Sequence, residues 1–136
     1  MTSAPATYLF GVTTPLDVLG DADYILLTTF RKSGVPVPTP VWAVRHGDEL
    51  QVWSNPAAGK IKRIRNSGRV ELAPCTMRGR PRGRSIEGVA RLLAEDEARS
   101  MLDRLVSKYG VLGWLTTLQT RYFGRAGTGI AITVPA

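Results

Sequence analysis

Residues 24–54 read YILLTTF-RKSG-VPVPTPVWAVR-HGDE-LQVWS, and this stretch decides the fold class. Its apolar runs are rich in β-branched and aromatic residues, with Lys32-Ser33-Gly34 and His46-Gly47-Asp48 placed between them as turns. The pattern predicts a strand over 24–30, an extended segment over 35–45 and a strand over 50–54, the last two forming a hairpin. Outward from there, residues 69–77 (RVELAPCTM) and 84–93 (RSIEGVARLL) predict a second strand pair around a loop at 78–83. Residues 129–134 (GIAITV) predict a final strand. Thr14-Pro15 reads as the N-cap and first position of a short helix over 14–19. Between the last two strands, Ala98, Met101, Leu102, Leu105, Val106 and Tyr109 recur at helical spacing, behind Glu95, Asp96 and Glu97 in the first turn. Gly110 is a natural stop for that helix, and a second one is expected over 112–123. Six strands with few helices predict a mainly β fold, a β-barrel with peripheral helices, because closing a sheet removes its edges. A chain of 136 residues with no linker and no repeat predicts one domain over residues 1–136.

Composition narrows the function classes. Hydrophobic residues make up 43% of the chain, enough for a packed core and too many for a disordered chain. A lone cysteine, Cys75, cannot form an intramolecular disulfide, and in its apolar context it reads as a small buried hydrophobe. The first residues carry neither a basic start nor a long apolar run, and no apolar cluster approaches the length of a membrane span. The expectation is a soluble, cytoplasmic protein without membrane association. The net charge of +7 asks for an anionic partner: nucleic acid, a membrane surface or a phosphorylated small molecule. Nucleic acid is disfavoured because the basic residues are not interleaved with aromatics.

Three local patterns bear on the site. Pro36, Pro38 and Pro40 lie two apart, so along a strand their missing N–H groups all belong to one edge. That edge is either an ordinary one protected from aggregation or a ligand-lining one that offers carbonyls and the Thr39 hydroxyl. Residues 54–65 (SNPAAGKIKRIR) run from a strand end through small residues into a basic helix. Small residues let a ligand approach the backbone, and the first N–H groups of a helix are free donors for an anion. Lys60 and Arg63 share a face, with Ile61 and Ile64 opposite. The helix is either a phosphate grip or a solvated amphipathic face; it is not a Walker A loop, since it lacks the second glycine and the Lys-Ser/Thr pair. Arg78, Arg80, Arg82 and Arg84 alternate with Gly79, Pro81 and Gly83, either as a solvated loop or as a second anion contact. His46, the one histidine, sits in a turn, and with Cys75 it makes no persuasive catalytic pair and no metal cluster, so no metal site is expected. Any enzymatic chemistry has to come from a cofactor.

The run 52–60 (VWSNPAAGK) resembles the FMN phosphate segment of the pyridoxamine 5'-phosphate oxidases. The wider pattern is similar to the smaller actinobacterial branch of that superfamily, which uses the deazaflavin coenzyme F-420. The resembling features are Gly-x-Pro-x-x-x-Pro-Val-Trp at 34–42, Gly-Lys-x-x-Arg at 59–63, Pro74-Cys75 and Glu-Gly-x-Ala-Arg at 87–91, so the likeness covers about residues 21–109. It implies a split β-barrel of the FMN-binding type, homodimeric, with cofactor sites between subunits. It further implies that Lys60 holds the cofactor phosphate with Arg63 assisting, that Ser54 and Asn55 lie near the ring or ribityl chain, and that Thr39, Pro40, Val41 and Trp42 follow the ring edge. Gly59 stands where the oxidases carry an arginine, and Gly83 or a neighbouring arginine stands where they carry a flavin-contacting glutamine. Both departures favour F-420 over FMN, with Arg80 and Arg82 in the 78–84 loop available to an anionic tail. The implied function is an F-420-dependent reductase passing hydride to an electron-poor small-molecule substrate. The alternative is a split-barrel carrier that binds FMN, a deazaflavin or haem without turnover.

Overall fold

The computed structural model of the protein describes residues 14–54, 58–122 and 128–135. In chain order the elements are α1 (Pro15–Asp21), β1 (Tyr24–Phe30), β2 (Pro36–Val41), β3 (Ala43–His46), β4 (Glu49–Ser54), α2 (Gly59–Asn66), β5 (Arg69–Cys75), β6 (Ile86–Leu92), α3 (Glu95–Tyr122) and β7 (Thr128–Thr133). The short first helix is fixed by a capping box. The Thr14 hydroxyl accepts from the Asp17 N–H and the Asp17 carboxylate accepts from the Thr14 N–H, both at 3.1 Å.

The strands form one antiparallel sheet ordered β2-β1-β5-β6-β7-β4-β3. Strands β2 and β3 are the two edges of that sheet, yet only Trp42 separates them in the chain. A residue spans only about 3.3 Å in extended chain, so the two edges must meet there. The sheet is therefore curled into a barrel that is joined at Trp42 and split elsewhere. The expected single segment over 35–45 is thus two strands, with Trp42 carrying the extended chain from one edge to the other. The remaining strands fall where the sequence predicts them, within two residues at either end.

Alternation along the strands fills the interior. Ile25, Leu27, Val70, Leu72, Leu50, Val52, Ile130 and Ile132 point inward with Leu19 of α1 and Ile61 and Ile64 of α2. On the outer face of β3, β4 and β7 lies α3, which contributes Ala98, Met101, Leu102 and Leu105 against Val44 and Ala131. Gly110 breaks α3 with φ 64° and ψ −139°, the positive φ that favours glycine, as the sequence anticipates. The end of the second helical segment expected at Phe123 lies outside the described residues. Among the described residues no helix is long and apolar enough to cross a membrane.

The joint at Trp42 is clamped from α3. Tyr109 stacks on Trp42 with ring centroids 4.4 Å apart and planes within 6°. Its hydroxyl accepts from the Ala43 N–H at 3.1 Å and lies 2.9 Å from the Asp23 carbonyl and 3.0 Å from that of Ala43. Burial pushes this phenol up to about 12. The neighbouring Lys108 ammonium donates to the carbonyls of Gly20, Ala22 and Ala43 at 2.9, 2.8 and 2.6 Å, so one cation ties the end of α1 to the start of β3.

Candidate anion-binding site

The site is built on α2. Ile61 and Ile64 are 1% and 5% exposed and dock the helix against β1 and β6, each burial contributing about 1.5–3 kcal/mol. That docking turns Lys62 and Arg65 to solvent and leaves Lys60 and Arg63 half-buried. The N-cap is Ala58, which makes no side-chain capping bond, and the Ile61 N–H donates to the Ala58 carbonyl at 3.1 Å. Arg63 is held in place: its Nε donates to the Thr29 hydroxyl at 2.6 Å, and Thr29 is only 1% exposed. Its guanidinium lies over the first turn, and a Cβ on Gly59 would stand 2.7 Å from the nearer terminal nitrogen. Burial, and then the Arg63 charge, hold the Lys60 ammonium below its ordinary pKa. Among the described residues neither cation has a carboxylate partner. Two half-buried positive charges without a counter-ion form an arrangement that an anion completes.

The other predicted residues fall into groups. Ser54 is buried at the end of β4, the strand that leads into α2, and Asn55 lies outside the described residues. Thr39 pairs with Leu27 and shares its inward side, while Pro40 pairs with Leu26 on the outer side. Pro36, Pro38 and Pro40 stand opposite Phe30, Thr28 and Leu26. Having no N–H, they occupy the pairs that exchange no hydrogen bonds with β1, so their carbonyls line the free edge of β2. That edge offers acceptors without donors, and it cannot template another strand. Val41 belongs to the barrel core and Trp42 packs on Tyr109 at the joint.

Arg80 and Arg82 are exposed on the β5–β6 loop. This loop follows Cys75, which pairs with Tyr24 at the start of β1, whereas Arg63 holds Thr29 near its end. The two basic clusters thus lie about 17 Å apart along the strand. Strand β2 runs between them: Val37 pairs with Thr29 at one end, and at the other a Cβ on Gly79 would lie 3.7 Å from Pro40. The loop itself divides, since Arg78 and Arg80 flank that turn while Arg82 and Arg84 reach a groove with Pro15, Val18 and Ile86. Cys75 is buried, and burial pushes its thiol up, which suits packing and not reactivity.

Thr29 is the site residue that the sequence analysis misses. The signal was present: Ile25, Leu27 and Thr29 alternate inward, and a polar residue in that series needs a partner.

The architecture is that of a seven-stranded split barrel with a basic helix after its fourth strand. The family described as pyridoxamine 5'-phosphate oxidase matches residues 16–127, and the chain belongs to that family. Among solved structures it is similar to a conserved hypothetical protein from Mycobacterium tuberculosis (18% identity, 92% of this chain and 82% of that one, TM-score 0.69). It is also similar to an F420 reductase (16%, 92% and 97%, 0.58) and to a haem storage protein from Vibrio cholerae (10%, 85% and 84%, 0.63). At these identities the likeness is one of fold. No curated protein matches the sequence significantly.

Proposed function

We propose that this protein is a coenzyme F-420-dependent reductase of the actinobacterial branch that its motifs resemble, working in the cytoplasm as a homodimer. The observation that carries the proposal is the Lys60–Arg63 pair, half-buried at the start of α2 without a counter-charge among the described residues. These residues fit a phosphate-bearing cofactor: an ammonium and a pinned guanidinium belong to the first turns of α2, whose N-cap Ala58 makes no side-chain capping bond. When bound, the deazaflavin supplies hydride to an electron-poor organic substrate.

The protein's own part is binding, orientation and exclusion of water. Lys60 and Arg63 hold the phosphate, Ser54 and Asn55 serve the ring or ribityl chain, and Thr39 and Pro40 follow the ring edge. Val41 and Trp42 continue the ring edge and fix the barrel joint at the end of β2. Arg80, with Arg78 at the same turn and Arg82 on the adjoining groove, neutralises an anionic tail. A tail that reaches the arginines of the same protomer runs the length of β2; one that reaches those of a second copy crosses between subunits. FMN carries the phosphate but no such tail, and it is the weaker ligand.

Turnover separates a reductase from a carrier of the same fold. Reduced F-420 is incubated with the protein and a panel of a menaquinone, an enone and a tetrapyrrole, and reoxidation of the deazaflavin is followed by its visible absorbance. Protein-dependent reoxidation with one class of acceptor is expected. Tight binding with no reoxidation by any acceptor would assign the carrier function instead.

A further inference from the structure

We propose that Thr29 and Gly59 are positioning residues: together they aim Arg63 as a two-pronged fork, and phosphate recognition at α2 depends on the Thr29 hydroxyl. The inference rests on the phosphate-binding reading of α2 and adds residues from outside the basic segment. Arginine on an exposed helix face samples many rotamers, and freezing it on a ligand costs binding free energy. Here that ordering is done in advance. The Nε–H of Arg63 is engaged at 2.6 Å by a hydroxyl that is itself 1% exposed on a core strand. With Nε occupied, the plane of the guanidinium is set and its two terminal nitrogens remain as the donor edge.

Gly59 provides the space. A Cβ there would lie 2.7 Å from one terminal nitrogen, 3.7 Å from the other and 3.6 Å from the central carbon of Arg63. The guanidinium thus covers the Cα of residue 59, one residue from Lys60, and any side chain at 59 displaces it from the helix start. The displaced group is the far end of a flexible side chain, so the substitution moves the fork at little cost to the fold. Hydroxyl and glycine act on the same guanidinium, one from β1 and one from α2, and the hydroxyl lies 34 positions from Arg63 in sequence.

The test measures what the phosphate adds to affinity. Fluorescence titrations give Kd for FMN and riboflavin, which differ in the phosphate alone, and for F-420 and the ribityl deazaflavin that lacks its phosphate and tail, with the wild-type protein, Thr29→Val, Thr29→Ser and Gly59→Ala. Thr29→Val keeps the shape of the buried side chain and removes the hydroxyl; Thr29→Ser keeps the hydroxyl. The proposal expects Thr29→Val and Gly59→Ala to lose about tenfold in affinity for the phosphate-bearing ligands. Binding of the two phosphate-free ligands should stay within about twofold, and Thr29→Ser should behave as the wild type. A merely structural role for Thr29 would weaken all four ligands alike and overturn the proposal, as would a wild-type phosphate preference in Thr29→Val. If the wild-type protein itself shows no preference for the phosphate-bearing member of either pair, the phosphate reading of α2 fails first.

Discussion

Lys60→Ala should move stability and binding in opposite directions. In the folded protein the Lys60 ammonium is half-buried beside Arg63, and its pKa is lowered by burial and by that neighbour. The unfolded chain therefore holds this proton more tightly, so the charge disfavours the folded state in full below the lowered value, and the penalty fades as pH rises from there to the ordinary value of 10.5. Removing it should raise the stability of the ligand-free protein slightly, by about 0.2–1 kcal/mol once solvent screening is allowed for. A charge-assisted contact to phosphate is worth about 1.5–3 kcal/mol, so the same substitution should weaken F-420 binding by about ten- to a hundredfold. Thermal melting without ligand and a fluorescence titration with F-420 measure the two effects. Lys62→Ala, on the exposed side of α2, is the control and should change neither. A lower melting temperature with unchanged affinity would show that Lys60 supports the fold and that the anion site lies elsewhere.

Arg63→Ala should weaken F-420 binding less than Lys60→Ala in the same titration, because the helix N–H groups and the ammonium remain. F-420 should bind more tightly than FMN, and titrations at rising salt should narrow the gap, since the exposed Arg78, Arg80 and Arg82 are screened beyond about 8–10 Å at physiological ionic strength. Tyr109→Phe should lower the melting temperature by releasing the Ala43 N–H. In the wild type, stability from the raised phenol pKa is complete below about 10 and lost as pH rises through about 12, a loss that alkaline melts of the Phe variant should lack. Static light scattering at micromolar protein should give the mass of a dimer; a monomer with unimpaired cofactor binding would remove the intersubunit site.

Much of the fold was legible because strand composition and turn residues act locally. Residues 24–30 form β1 as expected, and Gly110 interrupts α3 where a positive φ was required. The joint at Trp42 was not legible. Both flanking segments are β-formers, and whether they lie in one strand or at two edges is decided by how the whole sheet curls. The site divides in the same way. Lys60 and Arg63 stood out as charges beside small residues, but the hydroxyl that orients Arg63 lies 34 positions away. The arginine loop read as either a solvated loop or a second anion contact, and only the pairing of Tyr24 with Cys75 puts it at the other end of β1 from Thr29. Trp42 shows a further limit: an aromatic beside a proposed ligand course and an aromatic closing a barrel look alike in sequence, and stacking on Tyr109 gives this one a packing role.

The central claim is that α2 binds the phosphate of a deazaflavin, and a side-by-side titration of the wild-type protein with F-420, FMN and haem tests it most directly. The expected order of affinity is F-420, then FMN, then haem, with the affinity for F-420 falling in Lys60→Ala. Haem binding tighter than either phosphate-bearing ligand, unchanged in Lys60→Ala, would contradict it.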